Sequence, residues 1–254
     1  MTACKNCNAT FEGKYCPNCS QRADTHRLTL WHFIHETFHA FTHTDKGIFF
    51  LIKEMVYKPG TVAIEYNAGK RKKYFSPFTF FLIVVAVEIF ASQKTDFYKH
   101  YAASLDQIVQ GMNQKSIENS SNAHLEGAKT KVAKMSANSR LITFVFLPVL
   151  ALLTWLFFKK SGNNYAENLV FNVLIQGQLM VYYLLICIIP FLIDHSVVLW
   201  VLLIYIITTW VFSFYAYHQF FRQSWFKTII KGIAIQIVYF IVIEYGTSLI
   251  FHFV

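Results

Sequence analysis

At 254 residues and a formal net charge of +9, the chain is 55% hydrophobic and 18% aromatic, and only 15% of it is charged. Soluble domains carry about a quarter charged residues. This composition, with a mean hydropathy of +0.37, therefore excludes an ordinary water-soluble globule and points to a multi-pass membrane protein. The first long apolar run starts near residue 75, behind a polar, cysteine-bearing N-terminus, so no cleavable signal peptide is expected.

The first element in the chain is a pair of dithiol hooks, Cys4-Lys5-Asn6-Cys7 and Cys16-Pro17-Asn18-Cys19, with eight residues between them. Each CxxC turn aims two thiolates at one point, and a hairpin between the hooks closes a tetrahedral site. The expected ligands are Cys4, Cys7, Cys16 and Cys19, and the expected ion is a structural Zn2+, because four thiolates leave no position open for substrate. A ribbon over residues 1–24 is too short for a hydrophobic core, so the metal must supply most of its folding energy. Two disulfides are the alternative, and they require an oxidising compartment. Zinc thiolates instead persist in a reducing cytoplasm, which argues for a cytoplasmic N-terminus. The fifth cysteine, Cys187, sits in an apolar run and reads as a small buried hydrophobe.

Residues 25–74 follow as interfacial helices and a basic juxtamembrane segment. At 100° per residue, His32, His35, His39 and His43 fall within about 80° of one another, opposite Leu30, Phe33, Ile34, Phe38 and Phe41. Such a helix beds its apolar side at the headgroup boundary. Within it, His35-Glu36-Thr37-Phe38-His39 is a literal HExxH. Histidines four apart stack on one helix face and can share a zinc ion, with Glu36 as base toward a bound water. His43 lies about 12 Å along the axis from His35 and is too far to join them. His218, at the cytoplasmic end of a later span, is on the correct side to be the third ligand. The plainer expectation is a polar helix face, partly charged and drawn to anionic headgroups. Asp45-Lys46-Gly47 breaks the helix, and a second apolar run, Ile48 to Tyr57, ends at Lys58-Pro59-Gly60.

Four consecutive cations, Lys70, Arg71, Lys72 and Lys73, then precede the first span. They read as a positive-inside anchor on anionic headgroups of the bilayer, worth about 1 kcal/mol per residue. Nucleic acid is not an expected partner so close to a membrane. The runs CPNCSQ at Cys16–Gln21, THTDKG at Thr42–Gly47, KPGTVAIEY at Lys58–Tyr66 and GKRKKYFSPF at Gly69–Phe78 together resemble an uncharacterised bacterial family of integral membrane proteins. That family carries an N-terminal zinc ribbon and a domain of unknown function. The resemblance is dense over residues 1–80. It implies a bacterial inner membrane and carries over Cys4, Cys7, Cys16 and Cys19 as ribbon ligands, but it implies no activity and no catalytic residue.

The remainder, 75–254, is the expected transmembrane bundle. Five stretches are apolar enough to cross a core of about 30 Å: 75–92, 141–158, 169–193, 197–217 and 228–251. The second is short and holds Pro148, and the third carries Asn172, Gln176 and Gln178 in its first half. These amides, with Gln236, read as interhelical hydrogen-bonding glue. Asp194-His195 forms a tight connection between spans three and four. A polar loop at 93–140 follows span one, on the extracytoplasmic side. With the N-terminus inside, the inner side receives most of the 23 Lys and Arg, and the outer ones all lie in loop 93–140. The bias sets N-terminus in, C-terminus out. Glu88 and Glu244 lie within spans, where a charge is costly, and are expected to face the bundle interior.

The expected fold is therefore an all-α polytopic helical bundle of about five spans with a small N-terminal Cys4 zinc ribbon. The leading functional expectation is a non-enzymatic membrane anchor or scaffold, with the ribbon as a cytoplasmic docking module for a protein partner. A zinc-dependent membrane hydrolase using the HExxH at 35–39 is one alternative. A transporter or lipid-handling protein using Glu88 and Glu244 is another. No nucleotide-cradling glycine loop or Ser/His/Asp order is visible.

Overall fold

The computed structural model describes residues 1–25, 27, 29, 47–97, 100, 101, 103, 104 and 144–253, with side chains described through 246. The histidine face, with His32, His35, Glu36, His39 and His43, lies outside the described residues, as does most of the loop 93–140.

Two short strands open the chain, β1 (Thr2–Ala3) and β2 (Thr10–Phe11), paired antiparallel with Thr2 opposite Phe11. Helices follow as α1 (Gly47–Tyr57), α2 (Pro59–Asn67), α3 (Pro77–Thr95), α4 (Phe144–Phe157), α5 (Tyr165–Tyr183, continuing to Ile193), α6 (Val198–Phe221) and α7 (Trp225–Phe253). Among the described residues, four helical stretches are long and apolar enough to cross a membrane: Pro77–Thr95, Tyr165–Ile193, His195–Phe221 and Trp225–Gly246. The chain is thus an all-α membrane bundle behind a small cysteine module. The second expected span, 141–158, corresponds to α4, a shorter apolar helix, and residues 141–143 before it lie outside the described set.

The amides of the third expected span have a physical reason. Its helix is 61% buried along its most apolar window, against 22% for the spans of α6 and α7. A helix surrounded by protein needs no continuous lipid-facing surface and can carry polar side chains that bond its neighbours. Asn172 does this, donating from Nδ2 to Thr154 Oγ1 on α4 at 2.8 Å and to the Asn168 carbonyl at 2.8 Å. Gln178 does not, since its buried amide finds no hydrogen-bond partner among the described residues.

The chain divides into two compact units. The first comprises Met1–Val84, Leu147–Gln178 and Val211–Phe240. An aromatic stack lies at its core: Phe158 on Phe221 at 3.8 Å between ring centroids, and Phe171 on Phe220 at 4.2 Å. Here α2 meets α6 almost backbone to backbone. Pro59 occupies the first turn of α2, where its missing N–H costs nothing. Gly60 follows, and its N–H donates to Gln219 Oε1 at 3.0 Å. A Cβ on Gly60 would stand 2.4 Å from Gln219 Cβ and 2.5 Å from the Phe220 nitrogen. Tyr215 adds a hydrogen bond to the Tyr57 carbonyl at 2.9 Å.

The second unit comprises Val85–Phe146, Leu179–Trp210 and Ile241–Val254. In it the helix continuing from α5 widens to a π-turn over Leu184–Ile188, where the Ile189 N–H reaches back to the Leu184 carbonyl. Pro190 explains the change, because it has no N–H to offer the preceding turn and its ring crowds the carbonyl four residues back. The turn buries Cys187 and Ile188 against Phe97, Phe191, Val198 and Val201, so Cys187 is the expected buried hydrophobe, its thiol directed at the Val201 carbonyl. The Asp194 connection is as tight as expected. Its carboxylate accepts from the Ser196 N–H and Oγ, both at 2.8 Å, and caps the short 3-10 turn His195–Val197 that leads into α6. Glu88 is fully buried and accepts from Ser92 Oγ at 2.8 Å, whereas Glu244 is partly buried.

Candidate metal centre

The four N-terminal cysteines converge. One ligand atom from each of Cys4, Cys7, Cys16 and Cys19 lies within 4.8 Å of all the others, and all four thiols are free. The short approaches run between hooks, Cys4 Sγ to Cys19 Sγ at 3.5 Å and Cys7 Sγ to Cys16 Sγ at 3.6 Å. Four sulfurs at about 2.3 Å from a central ion have tetrahedral edges of about 3.8 Å, while a disulfide needs about 2.05 Å. The cluster has the size and donor set of a thiolate-bound metal site.

The two hooks are built alike, twelve positions apart. In each, the residue after the second cysteine takes a left-handed backbone, Asn8 at φ 62° and Ser20 at φ 59°. Its N–H returns to the carbonyl of the first cysteine, Asn8 to Cys4 at 2.9 Å and Ser20 to Cys16 at 2.8 Å. Each first cysteine then donates across the knuckle, Cys4 to Ala9 and Cys16 to Gln21. Asn tolerates this conformation better than most side chains. The turn aims backbone N–H groups at sulfur. Ala9 donates to Cys7, which lowers that thiol to about 6 against the cost of burial, whereas burial pushes Cys16 up to about 11 despite donors at Asn18 and Cys19. Among the described residues, Phe11 is the large apolar side chain buried with the sulfurs of Cys4 and Cys16, so apolar burial alone does not hold this module together.

The module is seated on a collar formed by α2 and the basic segment. α2 ends in a Schellman turn, with Gly69 (φ 106°) donating to the Tyr66 carbonyl and Lys70 to the Glu65 carbonyl, each at 3.0 Å. A side chain at Gly69 would meet the left-handed penalty and also Lys5 Cδ at 3.0 Å. Lys5 Nζ donates to the Thr25 carbonyl. Gln21 Oε1 accepts from the Lys72 backbone N–H at 3.1 Å.

The Schellman turn brings the basic segment back over Glu65. That carboxylate accepts from Lys70 Nζ at 2.9 Å, Lys73 Nζ at 2.6 Å and Tyr74 OH at 2.5 Å. Lys70 and Lys73 are therefore paired within the protein, while Lys72 is exposed. Burial works against ionisation of Glu65, but Lys73, Tyr74 and Lys70 outweigh it and hold the acid at about 2. Because this lies below the unfolded carboxyl range of about 4.3, the hub stabilises the fold above that pH and is lost as pH falls toward 2. Glu65→Gln is expected to cost about 2 kcal/mol at pH 7. The cost should shrink steadily below pH 4.5, read as the gap between thermal midpoints of the two proteins in detergent. A gap unchanged at pH 3 would remove Glu65 from this role.

A second polar cluster joins the start of α5 to the residues after the module. Asn164 and Glu167 form a reciprocal capping box, with Asn164 Oδ1 accepting from the Glu167 N–H and Glu167 Oε2 from the Asn164 N–H, both at 2.8 Å. Arg27 grips the same carboxylate bidentately at 2.6 and 2.8 Å and donates to the Gly162 carbonyl at 2.7 Å. Lys5, Arg27, Asn67, Asn163, Glu167 and Phe220 line a cavity of about 360 Å³ here.

Of the remaining expected site residues, His35, Glu36 and His39 lie outside the described set. His218 stacks its ring on Trp225, 4.0 Å between centroids. Sequence reading missed Glu65 and the Arg27–Glu167 pair. The Asn164-x-x-Glu167 spacing was a usable signal for the latter's cap.

A family described as "Protein of unknown function (DUF3667)" matches residues 45–88, which hold α1, α2, the basic segment and part of α3. No curated protein and no solved structure matches the chain.

Proposed function

We propose that this is a non-enzymatic membrane anchor or scaffold whose N-terminal module, stabilised by Zn2+, is a docking surface for a protein partner on the cytoplasmic side. The observation that carries it is a closed four-thiolate cluster tied by Lys5 and Gln21 to the segment leading into the first span. Four protein sulfurs complete a tetrahedral ion and leave it no position for substrate, so the metal's role is to shape a surface. That surface presents Tyr15, 59% exposed, with Glu12, Lys14 and Asn18. The charge bias supports a cytoplasmic N-terminus and an extracytoplasmic C-terminus, and the family resemblance implies a bacterial inner membrane. Lys72, the exposed cation of the collar, then lies against anionic headgroups.

Co-purification from native membranes tests the docking role. Wild type is expected to retain a defined partner that Cys16→Ser/Cys19→Ser loses, with the variant still inserted and helical. Equal recovery from the variant, or from a chain lacking residues 1–24, would end this reading.

A further inference from the structure

A different group of cations has no counter-charge among the described residues. At the junction of α6 and α7, Lys227 and Lys231 lie one helical turn apart on α7, and Lys160 comes from the 3-10 turn Lys159–Ser161 that follows α4. Lys160 and Lys227 both bear electrostatically on Lys231. Lys231 Nζ donates to Gln223 Oε1 at 3.0 Å and lies 4.8 Å from the centre of the Phe158 ring. Among the described residues, none of these three lysines, nor Lys159 or Arg222, forms an ion pair. The contrast within the same unit is sharp, since Lys58, Lys70, Lys73 and Arg27 each have a carboxylate at 2.6 to 2.9 Å.

Two further observations point outward. Arg222 holds a left-handed backbone, φ 51°, in the turn between the helices, a place where glycine is the usual residue. Around the lysines the surface is apolar and open: Trp225 is 48% exposed, Phe226 76% and Ile230 52%. Like charges gathered with no carboxylate among the described residues, beside exposed apolar side chains, call for an external anion that carries its own apolar portion.

We propose that Lys160, Lys227 and Lys231 form a binding site for the phosphate of an anionic phospholipid headgroup, with Phe226 and Ile230 alongside its acyl chain. Lys231, the partly buried member, holds the phosphate from the protein side, and the exposed Lys160 and Lys227 close on it. This site depends only on the bundle's being membrane-embedded, not on the docking role of the ribbon.

The test uses the full-length protein, delipidated in a neutral detergent. Tryptophan fluorescence is followed while dioctanoyl phosphatidylglycerol, dioctanoyl phosphatidylcholine or inorganic phosphate is added. Phosphatidylglycerol is expected to bind saturably and at least tenfold more tightly than the other two. Each lysine-to-glutamine change should weaken it roughly fivefold, and K160Q/K227Q/K231Q by more than a hundredfold. The triple arginine variant should keep most of the affinity, and K70Q/K73Q should stay within threefold of wild type. If the triple glutamine variant does not fold, Lys231→Gln alone carries the decision. Wild-type affinity in the glutamine variants overturns the site. Equal binding of phosphatidylcholine overturns the need for net negative charge, and equal binding of inorganic phosphate overturns the lipid assignment.

Discussion

Removing the metal is expected to unfold residues 1–24 and leave the helices standing. The described core of the module is Phe11 beneath four sulfurs, far short of what a chain of that length needs to fold by apolar burial. Structural zinc contributes about 10 kcal/mol or more to comparable small sites, several times what any single contact in the ribbon offers. Elemental analysis should find one zinc per chain in wild type and none in Cys7→Ser. Limited trypsin digestion should show Lys14 and Arg22 protected in the loaded protein and cut at least a hundredfold faster after chelation. Helical circular dichroism should stay within a few per cent, since the long helices owe nothing to the ion. Unchanged protection in chelator would mean that the hooks hold themselves, and the docking proposal would lose its physical basis.

Gly60→Ala is the second large effect. The added carbon would come 2.5 Å from the Phe220 nitrogen and 2.8 Å from the Ala216 carbonyl oxygen. Neither is a side-chain tip that can swing aside. Either α2 lifts off α6, giving up the Gly60–Gln219 and Tyr215–Tyr57 hydrogen bonds, or the helix backbone deforms. A cost of about 3 kcal/mol is expected, and a fall of roughly 10 °C in the unfolding midpoint in detergent. Gln219→Ala added to Gly60→Ala should give no rescue, because Gln219 Cβ and the backbone contacts remain. Recovery in that double variant would show that the clash lies with the amide and not with the helix.

What the sequence made legible follows the range of the interactions involved. The hooks were readable because metal ligation is local, and two residues between cysteines fix the turn. The helical class and the membrane were readable because a lipid-crossing helix must be apolar along its length. The Asp194 turn was readable because its cap is two residues away. Glu65 was not. Its partners lie five, eight and nine positions on, spacings that match no helical face, and they meet it only because Gly69 reverses the chain. Arg27–Glu167 and Gly60–Gln219 join residues 140 and 159 apart, and no periodicity reports such pairs. The basic run illustrates the cost of reading charge without geometry. All four cations suit a headgroup anchor in one dimension, yet in three dimensions Lys70 and Lys73 have a carboxylate of their own. The third expected span stands as the helix Tyr165–Ile193, and the amides that weaken it as a lipid-facing helix suit one largely buried in protein.

The closure of α2 on α6 also has a bearing on the order in which the protein is made. At about 5–20 residues per second during synthesis, Gln219 leaves the ribosome on the order of ten seconds or more after Gly60, 159 positions earlier. The cysteine module needs only its own stretch of chain and its ion, and can be complete by then. The seat on which it rests acquires its opposing wall only when the last third of the polypeptide has been inserted. For that interval the nascent chain carries a finished head on an unfinished neck, with the family-matched segment open to chaperone, lipid or protease.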